Sequence, residues 1–157
     1  MTKLLQQSIF YAESIWFEIR LTSRYLHLMG NQAFEKLKFS ISFDDYIILD
    51  IIANNDGICP RDIARMLLRD RSNIGKIVSG LEDKKLIKVK ADIRNNRSVK
   101  KLIITDKGIK LCNEMYLILK PYIDKMNEVI GEKDKKYMSD LLEKCRKMLD
   151  EIVETQI

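Results

Sequence analysis

The chain is poor in the residues that build covalent frameworks and metal centres. Its three cysteines, Cys59, Cys112 and Cys145, are widely spaced and odd in number, which argues against a disulfide framework. A single histidine, His27, and the lack of any Cys-x-x-Cys pair leave too few nitrogen and sulfur ligands for zinc, so no metal and no cofactor is expected. No apolar run reaches the roughly 18 residues that a membrane span needs. Gln6, Gln7 and Glu13 interrupt any signal-like apolar core after Lys3, Leu4 and Leu5, so a cytoplasmic protein without a membrane partner is expected. No phosphate loop, metal cluster or nucleophile–base pair is present, and an enzyme is not expected.

What the chain does have is a localised positive charge. Its formal net charge is +5, but residues 60–101 alone hold 13 Lys and Arg against 5 Asp and Glu, a net of +8. The rest of the chain is net negative, with 15 basic and 18 acidic residues. A basic excess confined to one segment is the electrostatic footprint of a polyanion binder. A solvated lysine-rich surface gives the same composition, so charge alone does not decide between them. With 46% hydrophobic and 32% charged residues, the chain is neither disordered nor fibrous.

Periodicity places the elements. Leu5, Ile9, Ala12, Trp16 and Ile19 predict a long first helix over 3–29, apolar on several faces and interrupted at Gly30. Ser42, with Asp45 three residues on, predicts the start of a second helix that ends at Asn55-Asp56-Gly57. Ile58 reads as a very short strand. Pro60 suits a first helical position, and Ile63, Ala64, Leu67 and Leu68 form the apolar side of a third helix. Asp70-Arg71-Ser72 reads as a break before a fourth helix over 72–84, with Ile74, Ile77, Val78 and Leu81 inward. Two helices separated by a short polar turn fit a helix-turn-helix. Leu86 to Ala91 alternates as a strand, 92–97 is polar and turn-prone, and Val99 to Ile104 returns. Thr105 is expected to cap a fifth helix running to Ile130, kinked or broken near Lys120 by Pro121. A last amphipathic helix over 133–154 carries Met138, Leu141, Leu142, Cys145, Met148, Leu149, Ile152 and Val153 on one stripe.

Five local motifs in this order resemble the multiple antibiotic resistance regulator (MarR) family. They are Phe43-Asp-Asp-Tyr-Ile-Ile-Leu-Asp-Ile-Ile52, Arg61-Asp-Ile-Ala-Arg-Met-Leu-Leu68, the stretch from Ser72 to Ile87, Asp92-Ile-Arg-Asn-Asn-Arg97 and Thr105-Asp-Lys-Gly108. The resemblance covers the whole chain. It implies a mainly α fold with a small β-hairpin wing: a winged helix-turn-helix over 41–109, intertwined with N- and C-terminal dimerisation helices over 1–32 and 110–157. The chain departs from the family pattern at Lys85, where members usually have Gly, at Asn95, where the wing usually has Asp, and at Val89, where a basic residue is common. Lys85 must either accept a left-handed backbone at some cost or change the turn.

The function so implied is sequence-specific binding of double-stranded DNA by a homodimer, a transcription repressor on a pseudo-palindromic operator. The exposed positions of the fourth helix are Ser72, Asn73, Lys76 and Ser79, with Arg71 before it. Asn73 is the best base reader, since its amide can pair with adenine in two bonds. Arg71 and Lys76 suit phosphate or guanine. At the wing, Arg97 is expected in or near the minor groove. Arg94 is expected to pair with Asp92 or a phosphate, and Asn95 lies at the tip. Gly75 and Gly80 are poor helix formers; either the backbone there approaches DNA closely, or both pack on a neighbouring helix. Two other functions stay open: an interaction module that has lost DNA binding, and a thiol-based redox sensor at Cys59, which precedes Pro60 at a helix start. A small, half-buried residue in a short connection is the favoured reading of Cys59. Family members often bind aromatic or phenolic small-molecule effectors. Tyr11, Trp16, Phe17, Tyr25 and Tyr46 are available to line such a pocket, but no motif identifies a ligand.

Overall fold

A computed structural model describes residues 11–94 and 97–153. The chain divides into two compact units, Met1–Phe43 and Asp44–Ile157.

In the first unit a short 3-10 turn, Tyr11–Glu13, leads into helix α1, Ile15–Leu37. The helix begins at Ile15 because Ser14 caps it: its backbone is extended and its hydroxyl accepts the Phe17 amide at 3.4 Å. The positions expected to be helical before residue 11 lie outside the described residues. Gly30 does not end the helix. It is buried within it, and a Cβ there would collide with the ring of Phe43. The helix ends instead at Lys38, which is left-handed (φ 53°). His27 and Phe34 of this helix form a ring cluster with Phe39 and Phe43, with paired centroids 5.3–6.0 Å apart. His27 is thus a packing residue.

Helix α2, Phe43–Asn54, starts on the last residue of the first unit and otherwise belongs to the second, where it is followed by α3, Pro60–Leu67, and α4, Arg71–Asp83. Strands β1, Ile87–Arg94, and β2, Arg97–Ile104, pair antiparallel as a hairpin from Ile87↔Ile104 to Arg94↔Arg97. The strands run further than alternation suggested, through Asp92 to Arg94. A two-stranded wing has little interior, so polar residues continue it freely; Ile93 is 76% exposed. Ile58 is not a strand, but Leu102 donates to its carbonyl at 3.0 Å and accepts from Gly57 at 3.1 Å, so this short segment borders β2.

The core of this unit is apolar. Ile48, Leu49 and Ile52 from α2, Ile63 and Ala64 from α3, Ile74, Val78 and Leu81 from α4, and Leu86, Ile87 and Leu102 from the wing base are all buried. Leu68 is an exception to the expected pattern. It is the left-handed cap of α3 (φ 50°) and is exposed, because the helix has already ended.

Helix α5, Asp106–Ile130, buries Cys112, Met115 and Leu119. It continues through Pro121 without the expected break; that residue is exposed, and Lys120 pairs with Asp124 across it. Helix α6, Glu132–Ile152, has no buried residue at all.

Candidate nucleic-acid interface

The fourth helix is built to present its first turn. Asp70, read from sequence as part of a break, is its N-cap: Oδ1 accepts the Ser72 amide at 2.7 Å, the Asn73 amide at 3.2 Å and the Ser72 hydroxyl. These bonds hold the Asp70 carboxyl below the usual carboxylate range, the Ser72 hydroxyl contributing most. The cap leaves Arg71, Ser72, Asn73, Lys76 and Ser79 exposed, while Ile74, Val78 and Leu81 face the core. All five sequence-predicted residues of this helix therefore share an open surface. Asp70 was legible in principle, since an acid two residues before Ser-Asn at a helix start is an N-cap signature.

Gly75 and Gly80 have open space where a Cβ would stand, with nothing within 4 Å. Among the described residues, then, no helix packs on these glycines. Gly75 lies on the open face between Ser72 and Ser79.

Three connections fix the helix to its surroundings. Arg69 Nη2, in the turn before it, donates to Asp44 Oδ1 on α2 at 3.0 Å. At its far end Lys85 takes the left-handed backbone (φ 60°), and the Leu86 amide returns to the Leu81 carbonyl at 3.0 Å. Lysine thus accepts the geometry that glycine usually supplies. The start of α5 then closes on this turn: the Thr105 hydroxyl donates to the Lys85 carbonyl at 2.8 Å, and the Lys107 ammonium donates to the Lys84 carbonyl at 2.8 Å. Thr105 Oγ1 also accepts the Gly108 amide at 3.1 Å, the cap expected from sequence. Gly108 is needed here, because a Cβ would strike the Leu86 carbonyl.

The wing brings Arg94 and Arg97 opposite each other at the ends of the two strands. Asn95 lies outside the described residues. Lys88, Lys90 and Lys100 are exposed along the hairpin.

Cys59 is the N-cap of α3, with Pro60 at the first helical position, but it is buried and its thiol donates to Asp62 Oδ2. Burial, and then that hydrogen bond, push its pKa up, opposite to what a reactive thiolate requires. Cys112 is also buried and is pushed up to about 11 by burial and by Asp50. Among the described residues no group of three or more His, Cys, Asp and Glu is placed to hold a metal ion, and no helix is long and apolar enough to cross a membrane.

A capped, solvent-facing helix following a three-residue turn, backed by two helices and flanked by a hairpin, defines a winged helix-turn-helix protein. Residues 39–98 match the model of the MarR family. The HTH-type transcriptional regulator YybA of Bacillus subtilis (strain 168) is 28% identical over 137 residues, covering 85% of this chain and 87% of the relative. The matched region spans the recognition helix and most of the wing, and in it the chain is similar to the MarR family of transcription regulators. Solved structures share its fold. MepR of S. aureus, in complex with DNA, superposes with a TM-score of 0.74 at 23% identity, over 89% of this chain and 99% of that one. The transcriptional regulator SlyA superposes at 0.73 with 24% identity, over 88% and 95%. These relatives are transcription regulators, not enzymes.

Proposed function

We propose that the protein is a cytoplasmic transcription repressor that binds a pseudo-palindromic operator in double-stranded DNA as a homodimer. The observation that carries this reading is the open face of α4. Arg71, Ser72, Asn73, Lys76 and Ser79 are exposed together on one capped helix inside the +8 segment. Short polar side chains on a helix that fits the major groove read base edges, while Arg and Lys hold phosphates. Asn73 is the base reader and Arg71 and Lys76 are the anchors. Arg94, Asn95 and Arg97 place the wing on the flanking minor groove. The MepR complex, solved with DNA, supports the same use of this fold.

A single module binds weakly, and two half-sites one helical turn apart need a dimer. Residues 1–32 and 110–157 supply that interface while 41–109 meets DNA. The support is unspent apolar surface: on α6, Met138, Leu141, Met148, Leu149 and Ile152 are all exposed, as are Val153 just after it and Trp16, Tyr25 and Leu26 on α1. A thiol switch at Cys59 is no part of this reading, since that thiol is buried and its pKa is raised.

The test is a gel shift of the protein on DNA from upstream of its own gene, against a scrambled fragment of equal length. Preferential binding of the first is expected. Equal binding of both, lost together with added salt, would show a non-specific polyanion binder instead.

A further inference from the structure

The recognition helix and the wing leave the protein at different points, and two-part reading of DNA requires a fixed angle between them. One side chain spans the joint. Glu82 lies in the last turn of α4, and its Oε1 accepts the backbone amide of Val89 on β1 at 3.1 Å. Val89 pairs with Leu102 across the hairpin. Leu102 turns both its amide and its carbonyl outward, to Ile58 and Gly57. Antiparallel pairs alternate between inward- and outward-facing polar groups, so the Val89 amide on the same rung also points away from β2. An outward amide on β1 would otherwise be left to water. The rung is therefore held from both sides: by the 57–58 segment at the edge of β2, and by the recognition helix itself at the edge of β1.

We infer that Glu82 is a positioning residue for DNA recognition, pinning the wing to the end of the recognition helix so that both engage one operator half-site. The inference rests on the DNA-binding reading above. Its sign makes it testable. Glu82 is an exposed acid beside a surface proposed to meet phosphates. On charge alone, removing it must strengthen DNA binding, because a repulsion is lost. If Glu82 acts by reach and acceptor geometry, removing it must weaken binding in spite of that gain.

Three variants separate these effects. Glu82→Ala removes charge and acceptor, Glu82→Asp keeps the charge but shortens the reach, and Glu82→Gln keeps an acceptor at full reach without the charge. The measurements are operator and scrambled-DNA affinities by fluorescence anisotropy at fixed salt, with a thermal melt of each variant. Glu82→Ala and Glu82→Asp should lose about three- to tenfold on the operator and little on scrambled DNA. Glu82→Gln should bind at least as tightly as wild type. Operator affinity that rises in Glu82→Ala, or is unchanged in Glu82→Asp, overturns the inference. Amide exchange of Val89 supplies a readout that needs no DNA: exchange should be slow in wild type and Glu82→Gln and faster in Glu82→Ala. Equal exchange in all of them overturns the pinning even if a variant binds poorly. Wild-type protein that fails to prefer its operator sinks the DNA-binding reading instead, and is seen before any variant is made.

Discussion

Arg69 reaches from the turn between α3 and α4 to donate to Asp44 on the first turn of α2, at 3.0 Å. The contact ties the approach to the recognition helix to the helix behind it, across 25 residues of sequence. Both side chains keep about a third of their surface in water, at 35% and 36%. Screening therefore limits the pair to about 0.2–1 kcal/mol. A double-mutant cycle of Arg69→Ala and Asp44→Ala, followed by urea unfolding, should return a coupling in that range, shrinking with salt. A coupling near zero would mean that the contact orients the turn without stabilising it.

The cap of the recognition helix should give an acid-side signature. Hydrogen bonds from Ser72 and Asn73 depress the Asp70 pKa, so its folded value lies below its unfolded one. A depressed carboxyl contributes stability above its unfolded pKa and loses it as pH falls through the folded value. Asp70→Ala should therefore melt below wild type at neutral pH, and the gap should close on acidification below the usual aspartate range. A gap independent of pH would remove the ionised cap as its cause.

Specificity and affinity should divide between helix and wing. Asn73→Ala should cost about 1–3 kcal/mol at one base position per half-site, with little change in salt dependence. Arg97→Ala should weaken binding most where the flanking minor groove is narrow. If it also neutralises a phosphate, it should lower the salt slope by about 1 per wing. Titrations of both variants on operator and scrambled DNA at several salt concentrations check this. An Asn73→Ala loss that is equal on both DNAs would show that Asn73 does not read a base.

Thiol chemistry should avoid Cys59. It and Cys112 are buried with raised pKa values, while Cys145 is half-buried. Limited alkylation of the native protein, read by peptide mass spectrometry, should label Cys145 first. Peroxide sensitivity of DNA binding should be the same in wild type and Cys59→Ser. A loss confined to wild type would restore Cys59 as a sensor.

Helix α6 should behave as an association element. Deleting 133–157 exposes whatever its apolar side covers in a dimer, and should give aggregates or a poorly folded monomer in light scattering. A soluble, well-folded truncated dimer would place the interface elsewhere.

Much of this was legible in the sequence because it is local. Thr105 and Pro60 sit where capping chemistry puts them, and of the four α4 residues expected inward by spacing, Ile74, Val78 and Leu81 are buried while Ile77 is half-buried. The errors have physical causes. Gly30 was expected to end α1, but it is retained for the approach of Phe43, a contact that no local pattern announces. Lys38 and Leu68 end helices in a left-handed backbone without the glycine that signals it. The site was half legible: exposure of Arg71, Ser72, Asn73, Lys76 and Ser79 followed from helix period. Arg69 with Asp44, Glu82 with Val89 and Lys107 with Lys84 meet only once the chain has folded.

The wing is a sheet of only two strands, so each strand keeps an outer edge. Beyond the rung that Glu82 and Ile58 cover, those edges offer backbone groups on which a strand from another molecule can template. Exposed Lys88, Lys90 and Lys100 work against that, since charged side chains on edge strands oppose stacking of like hairpins. On the DNA-binding reading proposed above, the same lysines would serve solubility as well as attraction to phosphate. Neutralising them to weaken DNA binding would also strip the wing of its guard against β-aggregation, and operator DNA, by covering the hairpin, would act as its chaperone.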